Sequence, residues 1–246
     1  MTSFTIITCT YNASAVVGRT LESVASQTYP YVEHIVQDGN STDDTLRISG
    51  RYHRAKVESE PDSGLYDAMN KAIKRATGDY LVFLNAGDKL YSRTTLEEMA
   101  RQIEGYKPAE RPAVIYGNTN IVDDNGKYLG PRHLSPPEVL TWKSFRHGML
   151  VCHQAFYVRT DIAREVEYNL VYRLSSDVDW CIRVMKKAEE MQLPLHNTHL
   201  ILCDYLEGGL SEKNHRKSLM ERFRIMSRHY GLLTTVFMHL TFLFRK

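Results

Sequence analysis

The chain has 246 residues, of which 43% are hydrophobic and 24% charged, and its formal net charge is +2. This length and apolar fraction allow a sizeable core and fit one undivided α/β domain. The cysteines lie far apart without a C-x-x-C pair, which excludes a zinc knuckle and a small disulfide framework. Unpaired cysteines, and an N-terminus without the basic region of a signal peptide, predict a cytoplasmic protein.

Predicted strands and helices alternate through the first half of the chain. Strands are predicted at residues 4–9, 32–36, 56–59, 80–85 and 113–116. Helices are predicted at residues 15–27, 65–76 and 94–103, and another begins at residues 41–44. Alternation of this kind predicts right-handed βαβ units and therefore a parallel sheet.

The helix at residues 65–76 has one apolar stripe. Its apolar positions recur at helical spacing: Leu65, Ala68, Met69, Ala72, Ile73 and Ala76. This spacing predicts one buried face. It leaves Asp67 and Asn70 three residues apart on another face, near the start of the helix.

Three predicted strands are followed closely by acidic residues. These residues are Asp38 after the second strand, Glu60 and Asp62 after the third, and Asp88 after the fourth. An open parallel sheet binds ligands outside the carboxyl ends of its strands, so we expect one acidic rim suited to phosphate-metal chemistry. A single Asp at such a place is ordinarily a turn residue or a helix cap. Three in succession favour a site.

The second half of the chain is less regular. Asp124-Asn-Gly126, between residues 118–122 and 127–129, is typical of a β-hairpin. Ser135-Pro-Pro-Glu138 combines a capping-box pattern with proline at the first helical position, which predicts a helix start. A further helix is predicted to open at Ser175-Ser-Asp177-Val-Asp179. No linker-like segment divides the chain, so we expect both halves to share one sheet.

The common phosphate-binding loops are missing from the sequence. No G-x-G-x-x-G follows the first strand, and no G-x-x-x-x-G-K-[ST] occurs. The first strand instead ends in Thr10-Tyr11-Asn12. The ordered segments 10–12 (TYN), 21–30 (LESVASQTYP) and 35–45 (IVQDGNSTDDT) resemble family 2 of the inverting glycosyltransferases, which have the GT-A fold. Residues 60–71 (EPDSGLYDAMNK) and 76–88 (ATGDYLVFLNAGD) resemble a branch found in bacterial polysaccharide and O-antigen assembly.

The resemblance implies an α/β fold of the GT-A type, with a Rossmann-like, mostly parallel central sheet flanked by helices. It also implies a nucleotide-diphosphate sugar as donor, with the nucleoside held by Thr10, Tyr11, Asn12 and Asp38. The carboxylate of Asp38 would accept a hydrogen bond from the base, which suits an acceptor-only group. Asp67 and Asn70 fall where the family lines the pocket between base and sugar, although a solvated helix face is their ordinary role.

The resemblance further implies a divalent metal, Mn²⁺ or Mg²⁺, that bridges the phosphates and stabilises the departing diphosphate. The family commonly has D-x-D followed by another Asp. This chain has Asn85-Ala86-Gly87-Asp88 instead. We therefore expect Asp88 to be the metal ligand and Asn85 to be a weaker contact with the donor.

An inverting transfer needs one general base, which the family places at the start of a late helix. Ser176-Asp177-Val178-Asp179 matches that position, with Ser in place of the usual Glu, so the resemblance implies Asp177 as the base and Asp179 as the alternative. Ser and Asp at a helix start are also ordinary caps for backbone N–H groups. The pair His153-Gln154 resembles the family as well, but we expect His153 to be a satisfied interior histidine.

The C-terminal segment is basic. From Lys213 to Lys246 there are eight Lys or Arg residues and a single acid, Glu221. An apolar stretch at residues 232–244 is too short to span a bilayer, which needs about 20 apolar residues. It suits a peripheral contact with the inner face of the cell membrane. Packing against its own domain, or against a second subunit in an oligomer, is an equal alternative.

We therefore predict a GT-A domain at residues 1–212 and a basic, amphipathic helical region at residues 213–246. Within the domain, residues 1–120 would bind the nucleotide sugar and residues 121–212 a glycan or lipid-linked acceptor. Two other classes are a nucleotidyltransferase or similar sugar-nucleotide enzyme, and a non-catalytic module that binds anionic surfaces. A nucleotidyltransferase would need a Gly-rich, basic turn after the first strand, and this chain has none there. A nucleic-acid partner is not expected, because an acidic rim repels phosphate unless a metal intervenes.

Overall fold

The computed structural model describes residues 1–209 and 214–243, with side chains to residue 241. Its strands are β1 (Phe4–Thr10), β2 (Val32–Asp38), β3 (Ala55–Ser59), β4 (Tyr80–Phe83), β5 (Lys89–Leu90), β6 (Val114–Val122), β7 (Tyr128–Pro131), β8 (Phe156–Arg159) and β9 (Leu195–Leu206). Its helices are α1 (Val17–Ala25), α2 (Thr45–Ser49), α3 (Leu65–Arg75), α4 (Thr95–Ile103), α5 (Thr160–Glu165), α6 (Ser176–Glu190), α7 (His215–Tyr230) and α8 (Leu232–Leu243).

The described strands form one sheet in the order β3-β2-β1-β4-β8-β6-β9-β5, and β7 pairs with β6. The strands β3, β2, β1 and β4 are parallel, as the alternation of strands and helices predicts. Their carboxyl ends therefore lie at the same edge. In the second half, β8 runs antiparallel to β4 and β6, whereas β6 and β9 are parallel. Both halves of the chain share the sheet, as expected.

The predicted elements of the first half are confirmed, with ends that differ by a few residues. Helix α3 buries Ala68, Met69, Ala72 and Ile73, which belong to the predicted apolar stripe. The strands predicted at 113–116 and 118–122 are one continuous strand, β6. The hairpin after it is confirmed, because the N–H of Gly126 donates to the carbonyl of Asp123 at 2.8 Å and Gly126 has a positive φ of 78°.

The prediction of a helix that starts at Ser135 is wrong. Each proline disfavours the helical conformation in the residue before it, and here two prolines are consecutive. The carbonyl groups of Pro137 and Glu138 instead accept hydrogen bonds from the Tyr116 hydroxyl at 3.3 and 3.1 Å. A 3₁₀ turn begins later, at Trp142–His147, with a capping box made by Thr141 and Ser144.

Helices cover both faces of the sheet. Residues of α3, α5 and α6 belong to one large core cluster, and residues of α4 pack in another with β1, β4 and β8. The predicted helical C-terminal region is confirmed within the described residues as α7 and α8. Helix α7 buries Ile225 and Met226. The domain boundary predicted after residue 212 lies outside the described residues.

Candidate active site

Asp38 ends β2 at the carboxyl edge of the sheet. Its side chain is 0% exposed and accepts four hydrogen bonds. The donors are the Thr10 hydroxyl at 2.8 Å, the Ser41 N–H and hydroxyl at 2.8 and 2.6 Å, and the Ser59 hydroxyl at 2.8 Å. Burial alone would raise the pKa of Asp38, but these hydrogen bonds outweigh it and lower the pKa, so the group is ionised at neutral pH.

Four donors fill the lone pairs of a carboxylate. Asp38 is therefore closed to a ligand in this structure. The predicted hydrogen bond from the base to Asp38 would require one of these donors to move away. In this structure the contacts of Asp38 join the ends of β1, β2 and β3 and fix the loop at Ser41.

The loop after β1 presents an exposed aromatic ring. Asn12 has a positive φ of 48°, a conformation that Asn tolerates better than most residues. Its backbone N–H donates to the Ser41 hydroxyl at 2.8 Å, and its side-chain oxygen accepts from the Thr42 N–H at 2.9 Å. These bonds hold the neighbouring Tyr11 at the edge of the sheet with 68% of its surface exposed.

The acids after β3 are largely paired. Glu60 lies 3.7 Å from the Lys71 ammonium and 3.6 Å from the Arg75 guanidinium. Asp62 accepts a hydrogen bond from the Gly64 N–H at 2.8 Å, in the turn that precedes α3. Glu60 and Asp62 stay partly exposed at the carboxyl edge, whereas Asp38 is closed, so the predicted acidic rim is open only in part. Its carboxylates mostly organise the loops.

Asp88 lies in the turn after β4 and is 3% exposed. One oxygen accepts from the Leu206 N–H and the other from the Gln154 amide, both at 2.8 Å. Burial raises the pKa of Asp88 to about 7, and these two hydrogen bonds oppose the rise. Each oxygen keeps a lone pair, because a carboxylate has about four acceptor positions.

Asn85 begins the same turn, and its carbonyl accepts from the Asp88 N–H at 3.0 Å. Its side-chain oxygen is buried without a hydrogen-bond partner among the described residues. Buried polar atoms are rarely left in this state. An amide oxygen without a partner, in the same turn as the Asp88 carboxylate, fits a hard cation. Within the described residues, no group of three or more His, Cys, Asp or Glu side chains could hold a metal. A cation here would take its other ligands from phosphate and water, as Mg²⁺ commonly does.

Asp67 and Asn70 lie on α3 but differ in their surroundings. Asp67 accepts from the Ser63 N–H at 2.9 Å and lies 3.9 Å from the Lys71 ammonium. Asn70 is buried and pairs twice with the backbone of Tyr168, donating at 3.0 Å and accepting at 2.7 Å. Asp67 is thus at the helix start near the edge, whereas the amide of Asn70 joins α3 to the segment before α6.

The two acids at the start of α6 have different environments. Asp177 is half-buried and accepts a hydrogen bond from the Tyr66 hydroxyl at 3.2 Å. Asp179 is 2% exposed and accepts from Arg183 and His229, each at 2.7 Å. Burial alone would raise the pKa of Asp179, but these partners outweigh it and lower the pKa. Asp179 is held in a buried ionic cluster, and Asp177 is the carboxylate with access to the surface.

A row of aromatic side chains connects Asp88 with Asp177. Gln154, which binds Asp88, is preceded by His153, whose Nε2 lies 2.6 Å from the Tyr168 hydroxyl. Tyr168 stacks on Tyr66 with ring centroids 5.4 Å apart, and Tyr66 reaches Asp177. His153 is buried and its pKa is lowered by burial to about 4, which confirms it as an interior histidine.

Three residues of this arrangement were not among the predicted site residues. They are Tyr66, Tyr168 and Gln154. Tyr66 and Gln154 each neighbour a singled-out residue, Asp67 and His153, which is the signal that could have found them. Tyr168 has no local signal, because its role comes from stacking between α3 and α6.

Comparison with known proteins gives the family. Residues 5–166 match the family described as Glycosyl transferase family 2. A PGL/p-HBAD biosynthesis glycosyltransferase of Mycobacterium bovis is 33% identical over 232 residues, which cover 92% of this chain and 85% of the relative. The amylovoran biosynthesis glycosyltransferase AmsB of Erwinia amylovora is 28% identical over 216 residues, which cover 81% of this chain and 70% of the relative.

Solved structures show the same fold. TarS 1–349 of S. aureus, in complex with UDP, superposes with a TM-score of 0.70 at 20% identity, covering 92% of this chain and 64% of that one. Glucosyl-3-phosphoglycerate synthase of Mycobacterium tuberculosis, in complex with Mn²⁺, UDP and glucosyl-3-phosphoglycerate, superposes with a TM-score of 0.64 at 14% identity, covering 92% of this chain and 80% of that one. The GT-A fold expected from the sequence is thereby confirmed. The family match spans more than half of this chain, and the chain therefore belongs to glycosyltransferase family 2.

Proposed function

We propose that this enzyme is an inverting glycosyltransferase in cell-surface polysaccharide synthesis. It would move a sugar from a nucleotide-diphosphate sugar to a hydroxyl of a glycan or lipid-linked acceptor. Relatives named for PGL/p-HBAD biosynthesis and for amylovoran biosynthesis support this substrate class. The observation that carries the proposal is the pair of acids on α6, of which Asp177 alone is half-exposed and held by Tyr66. The family match favours this reading over a nucleotidyltransferase or a non-catalytic module.

The donor would bind across the carboxyl edge of β1, β2 and β4, within residues 1–120. The exposed ring of Tyr11 would stack on the base, since every base has an aromatic face. Thr10, Asn12 and Asp38 would shape this loop, and Asp67 would face the sugar. The neighbour TarS has been solved with UDP-GlcNAc, which supports a donor of this class. The acceptor would lie against residues 121–212.

Asn85 and Asp88 would hold a divalent metal, Mn²⁺ or Mg²⁺, together with the diphosphate of the donor. The orphaned amide oxygen and the remaining acceptor positions of the carboxylate support this assignment. When bound, such an ion stabilises the negative charge on a departing diphosphate. Two fold neighbours were solved with Mn²⁺ and a nucleotide.

Asp177 would act as the general base. The acceptor oxygen attacks the anomeric carbon from the side opposite the diphosphate, and the carbon–oxygen bond to the diphosphate breaks with its electron pair. The acceptor proton passes to the carboxylate of Asp177, which Tyr66 holds in place. One displacement inverts the configuration at the anomeric carbon.

Nucleotide binding tests the donor half of the proposal. We expect Tyr11→Ala to weaken binding of the nucleoside diphosphate by about tenfold, because stacking of a base on an aromatic side chain contributes about 1–3 kcal/mol. Thermal-shift titrations of UDP, GDP, CDP and TDP with Mn²⁺ give the preferred base and the affinity. Tyr31, which precedes β2 at the amino edge, is 44% exposed and supplies the control Tyr31→Ala. Equal losses from both variants, or none from Tyr11→Ala, would contradict this contact.

The C-terminal helices support a peripheral contact with an anionic membrane. Leu233, Val236, Phe237 and Leu240 form an exposed apolar face on α8, at helical spacing. Thr235 is buried, and His239 packs on Phe223 of α7 with ring centroids 5.1 Å apart. Within residues 1–209 and 214–243, no helix combines the length and the apolarity that crossing a bilayer requires. Residues 244–246 of the predicted tail lie outside the described residues.

The charge of the neighbouring helix favours an anionic membrane as the partner of this apolar face. Helix α7 also exposes four cations: Arg216, Lys217, Arg224 and Arg228. Each cation near an anionic bilayer contributes about 1 kcal/mol of attraction. We therefore place the enzyme in the cytoplasm at the inner face of the membrane, where a lipid-linked acceptor would be presented.

Substitution of the apolar face tests the membrane contact. We expect the double variant Leu233→Asp/Phe237→Asp to lose binding to vesicles that contain phosphatidylglycerol by about tenfold or more, since burying either side chain contributes about 1.5–3 kcal/mol. Transfer to a soluble acceptor analogue should stay unchanged. Val139, 75% exposed outside this face, gives the control Val139→Asp. Unchanged vesicle binding, or a dimer of the parent chain that the double variant splits, would assign the face to protein packing.

A further inference from the structure

Glu221 binds the start of helix α6 from a distant part of the chain. It lies on α7 and is the single acid between Lys213 and Lys246. One oxygen accepts from the Arg173 N–H at 2.9 Å, and the other accepts from the Leu174 and Ser175 N–H groups at 2.8 and 2.9 Å. Three consecutive backbone donors therefore converge on one carboxylate, immediately before α6 begins at Ser176.

This contact holds the segment that leads into α6. Ser175 occupies the N-cap position, but its side chain makes no capping hydrogen bond to α6. Its hydroxyl points to α7 instead, 3.0 Å from the Ser218 hydroxyl and 3.3 Å from the Ser218 carbonyl. Glu221 therefore fixes the backbone of residues 173–175, and with it the direction from which the chain enters α6.

A second contact joins the same helices two turns further along α7. The Nε2 of His229 donates to Asp179 at 2.7 Å, and the Lys186 ammonium lies 3.2 Å from Nδ1 of His229. Helix α7 is thus fixed to α6 on both sides of Asp177 in the sequence, through residues 173–175 and through Asp179. Asp177, which accepts from the Tyr66 hydroxyl at 3.2 Å, lies between these two attachments in the sequence.

We propose that Glu221 is a positioning residue for Asp177. This inference rests on the proposed role of Asp177 as the base. A base must be held close to its productive geometry, and a displacement of about 1 Å costs on the order of 100-fold in rate. By fixing the N–H groups of residues 173–175, Glu221 sets where the first turn of α6 places Asp177. Helix α7 then has a positioning role toward Asp177.

Steady-state kinetics with a matched control separate this role from plain stability. Glu33 supplies the control, since its carboxylate accepts from the Thr77 N–H at 2.7 Å and the Thr5 hydroxyl at 2.6 Å, near the amino edge of the sheet. We expect Glu221→Ala to lower kcat by about tenfold or more while KM for the donor stays unchanged. Glu33→Ala should lower Tm and leave kcat unchanged. Glu221→Gln should recover part of the rate, because its amide oxygen still accepts from these N–H groups.

The same substitution in an Asp177→Asn background identifies the residue through which Glu221 acts. We expect Glu221→Ala to cause almost no further loss there, because residues that act as a unit are non-additive. If Glu221→Ala and Glu33→Ala both lower Tm and neither changes kcat, the positioning role fails and the base assignment stands. The same conclusion follows if the losses in kcat from Glu221→Ala and Asp177→Asn multiply in the double variant. If Asp177→Asn keeps its rate, the base assignment fails and this inference fails with it. Should Glu221→Ala not fold, Glu221→Gln carries the same comparison.

Discussion

Asp177→Asn is expected to lower kcat for sugar transfer by about 100-fold or more, the usual scale of general-base catalysis. Asparagine keeps the size of the side chain and can still accept the hydrogen bond from Tyr66. It also remains a good residue for a helix start, so the stability of α6 should hardly change. Because the donor would bind on the other side of the reacting carbon, its affinity should stay the same. The measurement is transfer at saturating donor, together with nucleotide binding and Tm.

Asp179→Asn is the matched comparison, two residues away on the same helix. It removes the negative charge between Arg183 and His229. Breaking a buried ion pair by removing one partner typically costs about 3–5 kcal/mol, so Tm should fall clearly. The rate of the molecules that stay folded should fall much less than in Asp177→Asn. A folded but inactive Asp179→Asn beside an active Asp177→Asn would show that the wrong carboxylate is assigned as the base.

The elements of the first half were predictable because their signals are local. Strand β4 is an uninterrupted apolar run, and α3 shows its buried face in the spacing of its own residues. The failed helix start at Ser135 shows the limit of such signals. Its capping-box pattern is also local. However, two prolines disfavour the helical conformation there, and the Tyr116 hydroxyl donates to the carbonyl groups of Pro137 and Glu138.

The positions of the site residues were predictable, but their environments were not. Asp38 ends a strand as expected, yet its closure depends on Ser59, which ends another strand, β3. The resemblance ranks Asp177 above Asp179, but the sequence does not show why their surroundings differ. That distinction depends on His229, on a helix that begins at His215. Tertiary contacts between distant residues decide which carboxylate remains open, and a motif does not contain them.

Asp88→Asn is expected to reduce sugar transfer by about 100-fold or more, which corresponds to roughly 3 kcal/mol of lost stabilisation of the leaving diphosphate. The variant keeps the shape of the side chain. Its amide oxygen can accept the Leu206 N–H, and its NH₂ group can face Gln154 if the Gln154 amide turns over. What it removes is the negative charge of the proposed metal ligand, in the same turn as Asn85. We therefore expect nucleoside diphosphate binding to lose its dependence on Mn²⁺, which calorimetric titration with and without the ion measures.

Asp204→Asn separates this effect from the loss of a buried charge in general. Asp204 is also buried in this part of the sheet, where it lies 3.1 Å from the Lys89 ammonium and accepts from the Asn120 amide at 3.1 Å. Its substitution should lower Tm and leave the Mn²⁺ response of nucleotide binding intact. Unchanged transfer and an unchanged Mn²⁺ response in Asp88→Asn would remove Asp88 from the mechanism. The same loss of the Mn²⁺ response in both variants would mean that the turn after β4 needs its charges for folding, and that the cation binds elsewhere.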